Sequence, residues 1–397
     1  MKMPTVIVLG LSPTGLYAVR EAGRAGFPVV GVTDIFACGS FSRYLRAPGE
    51  SWQVSEQAEL LERLVNYAAK TNTKPILLPT NDRYIEFIGQ HAQTLSSCCL
   101  FPESYRGISQ ALMDKRSFNR LCKEHGLPTP GVWETSDTES LIALSCEIPF
   151  PCILKPTLVH RAVSFLKGKK VLLAKDEAEF KALAKSVPAD TGGWLVQEVI
   201  PGPESNITLF GGYFDRSGKP LQTFTARKLR QYPAGFGSAS LVRSENCPET
   251  LEKSLHFLKK LSFSGICGTE FKRDPRDGQL KIIEINPRPT LWFSLTSAAG
   301  KRIFETACRD LAGMPVADQS VQVNGILWRY ALKDTYSALF YRAKGGSFIF
   351  PTPELQSGDN PVRGKTWPVF DSEDPLPTLA EPIQFLKKIV SRFRKCN

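Results

Sequence analysis

Residues 265–289, GICGTEFKRDPRDGQLKIIEINPRP, read as two short strands joined by a polar turn, and the rest of the chain is arranged to serve them. Asp274-Pro275-Arg276-Asp277-Gly278 supplies a fixed φ at proline and ready access to positive φ at glycine, so the spacing predicts a hairpin. Period-two alternation separates Glu270 and Lys272 from Thr269 and Phe271, and Glu284 and Asn286 from Ile283 and Ile285. Pairing then brings two carboxylates and an amide together. Hard divalent cations take oxygen ligands, and Mg²⁺ is commonly held by one or two carboxylates plus substrate phosphates. Glu270, Glu284 and Asn286 are therefore candidate metal ligands, for Mg²⁺ or its substitute Mn²⁺. Arg288 follows two residues on, placed to grip a phosphate or carboxylate with a bidentate fork. For each residue singly, a hairpin with a charged outer face is the competing reading.

Length and composition narrow the class. At 397 residues, 42% of them hydrophobic, the chain can hold two or three domains with sizeable cores. The 50 Lys and Arg against 39 Asp and Glu leave a net charge of +11, which suits an anionic ligand. No RNA-reading signature or basic tract with interleaved aromatics is present, which argues against nucleic acid. The ten cysteines form no CxxC pair and sit mostly in apolar segments, as reduced thiols of a cytoplasmic protein do. The run VIVLGL at residues 6–11 is too short for a signal core, and no apolar run approaches 20 residues, so neither export nor a membrane span is expected.

The N-terminal region reads as strand TVIVLG, a glycine turn, a helix and the strand FPVVGVTD, the opening of a βαβ unit. The turn Gly10 to Gly15 has Ser12 where a dinucleotide-binding GxGxxG has its middle glycine, although Asp34 falls where a ribose-binding acid would. Further α/β alternation follows through AELLERLVNYAAK, KPILLPT and NDRYIEFIGQHA, with Asn81 or Asp82 as helix cap. Ser12, Thr14, Asn81 and Asp82 lie at carboxyl ends of strands, where open α/β sheets place ligands, and turn or capping chemistry explains each equally well.

Four further segments follow in order. ALMDKRSFNRLCKEHGLPTP predicts an amphipathic helix ended by Gly126, with Leu112, Phe118 and Leu121 on its apolar face and Lys115 in it. FPCILKP is an apolar strand delivering Lys155 just before a proline. WLVQEVIPGPESNITLF predicts a strand, a Pro-Gly-Pro bend and a second strand bearing Glu204 and Asn206; free backbone groups along such a hinge can pair with a base edge, and a carboxylate beyond the bend can accept from ribose hydroxyls. FTARKLRQYPAGFGS carries Arg227, Lys228 and Arg230 with no acid nearby in sequence, as if awaiting an anion.

This ordered set resembles the ATP-grasp superfamily. The hairpin with Glu270, Glu284 and Asn286, the DK before a helix with a GLPTP-like exit, the lysine-ended strand, the hinge and RKLRQYP all match, and the last of these looks like the branch related to D-aspartate ligase and similar carboxylate-amine ligases. An FDSEDPLP ending at residues 370–377 extends the likeness over nearly the whole chain. The resemblance implies an α/β and α+β architecture: an N-terminal doubly wound, Rossmann-like pre-ATP-grasp domain (residues 1–108), two α+β subdomains holding the nucleotide between them (109–195, and 196–310 with the metal site), and a C-terminal segment (311–397) packed on the core. It implies ATP and one or two Mg²⁺ as cofactors. Lys115, Lys155, the hinge residues Gln197, Glu198 and Ile200, and Glu204 would then bind nucleotide, with Arg227, Lys228 and Arg288 as catalytic cations around the phosphates. The activity implied is ADP-forming amide or peptide ligation through an acyl phosphate, with small-molecule carboxylate and amine substrates and a homodimer left open.

The chain departs from the commoner pattern at residues 157–174, where a glycine-rich phosphate loop is replaced by a basic one with His160, Arg161, Lys167, Lys169 and Lys170. Gly364-Lys365-Thr366 is not a P-loop, since residue 359 is Asp. The ending EPIQFLKKIVSRFRKCN reads as a basic amphipathic helix, either docked on the core or attached to an anionic membrane or partner. Two other functional classes stay open: a nicotinamide oxidoreductase built on Gly10, Gly15 and Asp34, and a non-catalytic nucleotide-binding regulator.

Overall fold

In the computed structural model, residues 3–45, 51–156, 166, 171–188, 193–318, 320–344, 346–355 and 361–396 are described, with side chains to residue 387 in the last helix. The basic loop residues His160, Arg161, Lys167, Lys169 and Lys170 lie outside them. Runs such as VIVL, VVGVT and ILLP are buried along their whole length, as parallel strands covered by helices on both faces are. They form β1 (Val6–Leu9), β2 (Val29–Thr33) and, after a short β3 (Ser51–Gln53), β4 (Ile76–Pro79), in the all-parallel order β3-β2-β1-β4. With three residues, β3 is too short to show a period in the sequence. The order reverses at β1, so the carboxyl ends of β1 and β4 flank a switch point. Gly10 there has φ +100°, and a Cβ on Gly15 would lie 1.8 Å from the Gly10 carbonyl, so only glycine lets the helix Pro13–Arg24 sit this close to the turn.

The stretch before the second sheet is two helices rather than one. Asp114 breaks it: its side chain accepts from the Ser117 amide at 2.8 Å and caps the second helix, Lys115–Glu124. A short acid bonds to the backbone more readily at a cap than within a helix. The second sheet contains β5 (Val132–Thr135), β6 (Cys152–Pro156), β7 (Leu172–Ala174) and β8 (Trp194–Glu198) in the antiparallel order β5-β8-β6-β7.

The third sheet has seven strands: β9 (Ile207–Phe214), β10 (Pro220–Tyr232), β11 (Ser238–Ser244), β12 (Gly265–Arg273), β13 (Leu280–Asn286), β14 (Ile326–Arg329) and β15 (Gly364–Thr366), ordered β13-β12-β9-β10-β11-β14-β15. The expected hairpin is β12 and β13. Its turn closes through Gly278, whose φ is +71° and whose amide donates to the Asp274 carbonyl at 2.8 Å. The GKT triplet is β15, parallel to β14. Glu204 and Asn206 fall in a single 3₁₀ turn ahead of β9, because the Pro-Gly-Pro bend continues one residue group further than alternation suggests.

One core joins the first and third sheets, with Val6, Tyr17, Val29, Tyr213, Phe224, Trp292, Phe304 and Trp328 buried together. The second sheet has its own, around Leu141, Cys152, Leu154, Phe180, Trp194 and Val196. The C-terminal segment closes back on the first sheet. Buried Asp374 accepts from Arg20 Nε at 2.9 Å, Ser42 Oγ at 2.7 Å and the Arg43 amide at 2.9 Å. The helix Leu376–Cys396 then docks beside residues 36–41, with Gln384 accepting from the Cys38 amide at 3.0 Å.

Candidate functional site

The edge hairpin positions its acids by register. Glu270 pairs directly with Glu284, and Gly268 with Asn286. A β-bulge between Glu270 and Phe271 lets Ile282 and Ile285 turn into the core while Glu284 stays exposed. Like charges opposite one another on a ladder repel, and something must offset them. Part of that offset is Lys228 of β10, almost wholly buried and ion-paired to Glu270. The remaining negative charge at Glu284, beside the amide of Asn286, fits a divalent cation with hard oxygen preference. Among the described residues no cluster of three or more His, Cys, Asp or Glu side chains is placed to hold a metal ion, so the hairpin offers two carboxylates and an amide and needs substrate oxygens to complete a cation's shell.

Lys155 comes to this hairpin from the second sheet. Its ammonium donates to Gln197 Oε1 on neighbouring β8 at 2.8 Å. Burial, and after it the positive charge of Lys115, holds its pKa down to about 7, against the opposing pull of Glu284. Lys115, the first residue of its helix, Lys155 and Gln197 of the second sheet and Glu284 of the third thus share one electrostatic neighbourhood. Two cations and a pair of facing carboxylates in one such neighbourhood can hold a polyphosphate and its counter-cation.

Other sequence-predicted residues are placed differently. β8 is an inner strand, paired on both sides, so much of the hinge backbone is already engaged. The Glu198 amide donates to Gly131 O at 2.9 Å, that of Val199 to Pro151 O at 3.1 Å, and Ile200 O accepts from Lys272 Nζ at 2.8 Å. The Glu198 carboxylate accepts from the Gly131 amide at 2.8 Å and pairs with Arg276 of the hairpin turn. Glu204 is buried, its pKa raised by desolvation, and it accepts from the Gln231 and Gly235 amides at 3.0 and 2.6 Å. It braces the end of β10 in place of offering a carboxylate to open solvent.

The cations after β9 also have acids of their own, contrary to the expectation from sequence. Arg227 Nε donates to Glu245 at 2.7 Å, Arg230 forks onto buried Asp334 at 2.7 and 2.8 Å, and Lys228 holds Glu270. Alternation along β10 turns Lys228 toward the hairpin acids, so of the three cations nominated as catalytic, Arg227, Lys228 and Arg288, only Lys228 is ion-paired to one of those acids. Arg288 donates to Asp82 at 2.5 Å, tying the end of the hairpin to the switch point of the first sheet. Asn81, not Asp82, is the helix cap, accepting from Tyr84 N at 3.2 Å. Asp34 is ion-paired with Arg83, which removes the acid on which a nicotinamide reading relied.

Lys272 is a residue that sequence reasoning passed over. It lies 3.9 Å over the Phe350 ring and bonds the hinge carbonyl, and burial lowers its pKa to about 7. Its position two residues after Glu270 was the available signal.

No family model matches the chain. The D-aspartate ligase of Enterococcus faecium is 29% identical over 225 residues, 54% of this chain and 53% of that protein, so the match spans about half the ligase. The formate-dependent phosphoribosylglycinamide formyltransferase of Bacteroides fragilis is 23% identical over 79% of this chain and 78% of its own. Among solved structures, N5-carboxyaminoimidazole synthetase from Staphylococcus aureus complexed with ADP superposes with a TM-score of 0.63 at 14% identity, covering 81% of each chain. The biotin carboxylase domain of Hydrogenobacter thermophilus 2-oxoglutarate carboxylase, in complex with MgADP and bicarbonate, gives 0.61 at 17% identity, over 82% of this chain and 73% of that one.

Proposed function

We propose that this chain is a member of the ATP-grasp superfamily and, within it, an ATP-dependent, ADP-forming carboxylate-amine ligase acting in the cytoplasm with an amino acid as one substrate; its likeness to the D-aspartate ligase and to the ADP-bound synthetase supports that reading. The observation that carries this reading is the facing pair Glu270 and Glu284, with Lys155 arriving beside it from another sheet and Lys115 from the start of a helix. On the proposal, residues 1–108 form a domain contributing to the acceptor side, and ATP lies between residues 109–195 and 196–310. Glu270, Glu284 and Asn286 would hold Mg²⁺, which neutralises phosphate charge when bound. Lys155 and Lys115 meet the phosphates, and Gln197 orients Lys155. Lys228 fixes Glu270 in place, Glu198, Glu204 and Ile200 shape the nucleotide hinge, and Arg227 stiffens β10 through Glu245.

The chemistry is a balanced two-step exchange. A carboxylate oxygen attacks the γ-phosphorus as the bond to ADP breaks; the amine nitrogen then attacks the acyl carbon as phosphate leaves, its proton passing to phosphate or solvent. Arg288 grips the carboxylate in exchange for Asp82. The free thiols of all nine described cysteines accord with a reducing compartment. The test is ADP and phosphate release from Mg-ATP across pooled amino acids and small carboxylic acids, with mass spectrometry of the products. Acceptor-dependent release with a product one condensed amine heavier is expected. ATP binding with no release from any pool would overturn the ligase reading.

A further inference from the structure

We propose that the C-terminal helix is a surface anchor that lies on an anionic lipid bilayer. The helix Leu376–Cys396 has two distinct sides. Ala380 and Gln384 are buried against residues 36–41, and Lys387 lies 4.2 Å over the Phe36 ring. Leu376, Leu379, Ile383 and Leu386 face outward, 55, 71, 49 and 60% exposed. Their spacing of three, four and three residues keeps them on one stripe at 100° per residue, and Val390 and Phe393 continue the same interval in sequence. Ile35 and Phe41, on the segment the helix docks against, are exposed as well.

A stripe of this kind needs a cover, and charge selects it. After Glu381 the helix holds Lys387, Lys388, Arg392, Arg394 and Lys395 and no acid. The acids just before it already have partners: Asp371 and Glu373 pair with Arg24, and Asp374 with Arg20. A second copy seated on the stripe, in either direction, would bring to that basic run no acid of its own helix but Glu381. A bilayer rich in anionic headgroups takes both features at once, the apolar side chains entering the headgroup boundary and the cations meeting phosphate. Among the described residues no helix is long and apolar enough to cross a membrane, so the helix would lie in the interface plane.

Flotation of the full chain with vesicles of pure phosphatidylcholine, or of phosphatidylcholine and phosphatidylglycerol in equal parts, decides this. Binding to the anionic vesicles alone, reversed by high salt, is expected. Replacing Leu379→Glu with Ile383→Glu should abolish it, and Lys387→Gln with Lys388→Gln should weaken it roughly tenfold or more, at about 1 kcal/mol per cation near the surface. Melting temperature and ATP binding should be unchanged in both pairs, and the lipid dependence of the unaltered chain decides the proposal by itself. No binding to anionic vesicles, equal binding to neutral ones, or a dimer that the Leu379 and Ile383 replacements convert to monomer would each overturn the proposal.

Discussion

Lys155 is the side chain whose surroundings say most about what must arrive. Its ordinary pKa of 10.5 is brought to about 7 by burial and by Lys115. The folded chain therefore binds this proton less tightly than the unfolded chain, and the group's contribution to stability rises with pH between about 7 and 10.5. A bound polyphosphate favours the charged form, so ATP binding at pH 8 should take up a proton and weaken as pH rises further. Calorimetry in two buffers of different ionisation enthalpy measures that uptake, and Lys155→Met should remove it while weakening binding roughly ten- to a hundredfold. Equal uptake in the variant would take Lys155 out of the phosphate site. Glu284→Gln is the complementary test. At an exposed edge position it should change stability by no more than about 0.5 kcal/mol, yet lower Mg-dependent turnover by roughly a hundredfold or more. Undiminished turnover would end its assignment to the metal. The sequence displayed the donors but not their partners: Arg227 and Arg230 look unpaired because Glu245 and Asp334 lie 18 and 104 residues away.

Elements were legible where local chemistry dictates them. The β12–β13 turn, the glycine turn after β1 and the strand that ends in Lys155 each carry their instruction within a few residues. The split at Asp114 and the turn at Glu204 escaped because one hydrogen bond, not a period, decides them. The C-terminal segment depends wholly on distant contacts, above all Asp374 with Arg20, both buried. Removing one partner of a buried pair leaves an uncompensated charge, so Asp374→Ala should cost about 3–5 kcal/mol, with Asp374→Asn milder because its one carbonyl oxygen keeps an acceptor for the Arg43 amide. Urea titration reads this as a lowered midpoint at unchanged slope. A shift equivalent to less than about 1 kcal/mol would mean that the segment closes on the first sheet through its other contacts, the Arg24 pairs, the Gln384 bond and apolar packing.

At the scale of the molecule, the ordered motifs announced a site between parts of the chain, but not which parts share a core. Apolar periodicity says that a strand is buried and is silent on its partner. Tyr17 of the first helix packs with Phe293 and Phe304, and Glu21, buried there with its pKa raised by desolvation to about 7, accepts from the Phe304 amide at 3.1 Å. The first and third sheets should accordingly open as one cooperative unit. The second sheet has its own core and touches the rest through a smaller cluster of Ile153, Val199 and Phe350, so it should open at lower cost, and it carries Lys155 and Gln197 toward the acids of the hairpin. Native-state hydrogen exchange separates these behaviours, since amides in one cooperative unit share an opening free energy. Amides of β1 and β9 should exchange with a common free energy, and those of β6 and β8 with a smaller one. Mg-ATP, by bridging Lys155 to Glu284, should slow β6 and β8 most and β1 little. Exchange at one common rate through all three sheets, unaltered by Mg-ATP, would mean a single rigid body and would remove the cleft as the place where nucleotide is gripped.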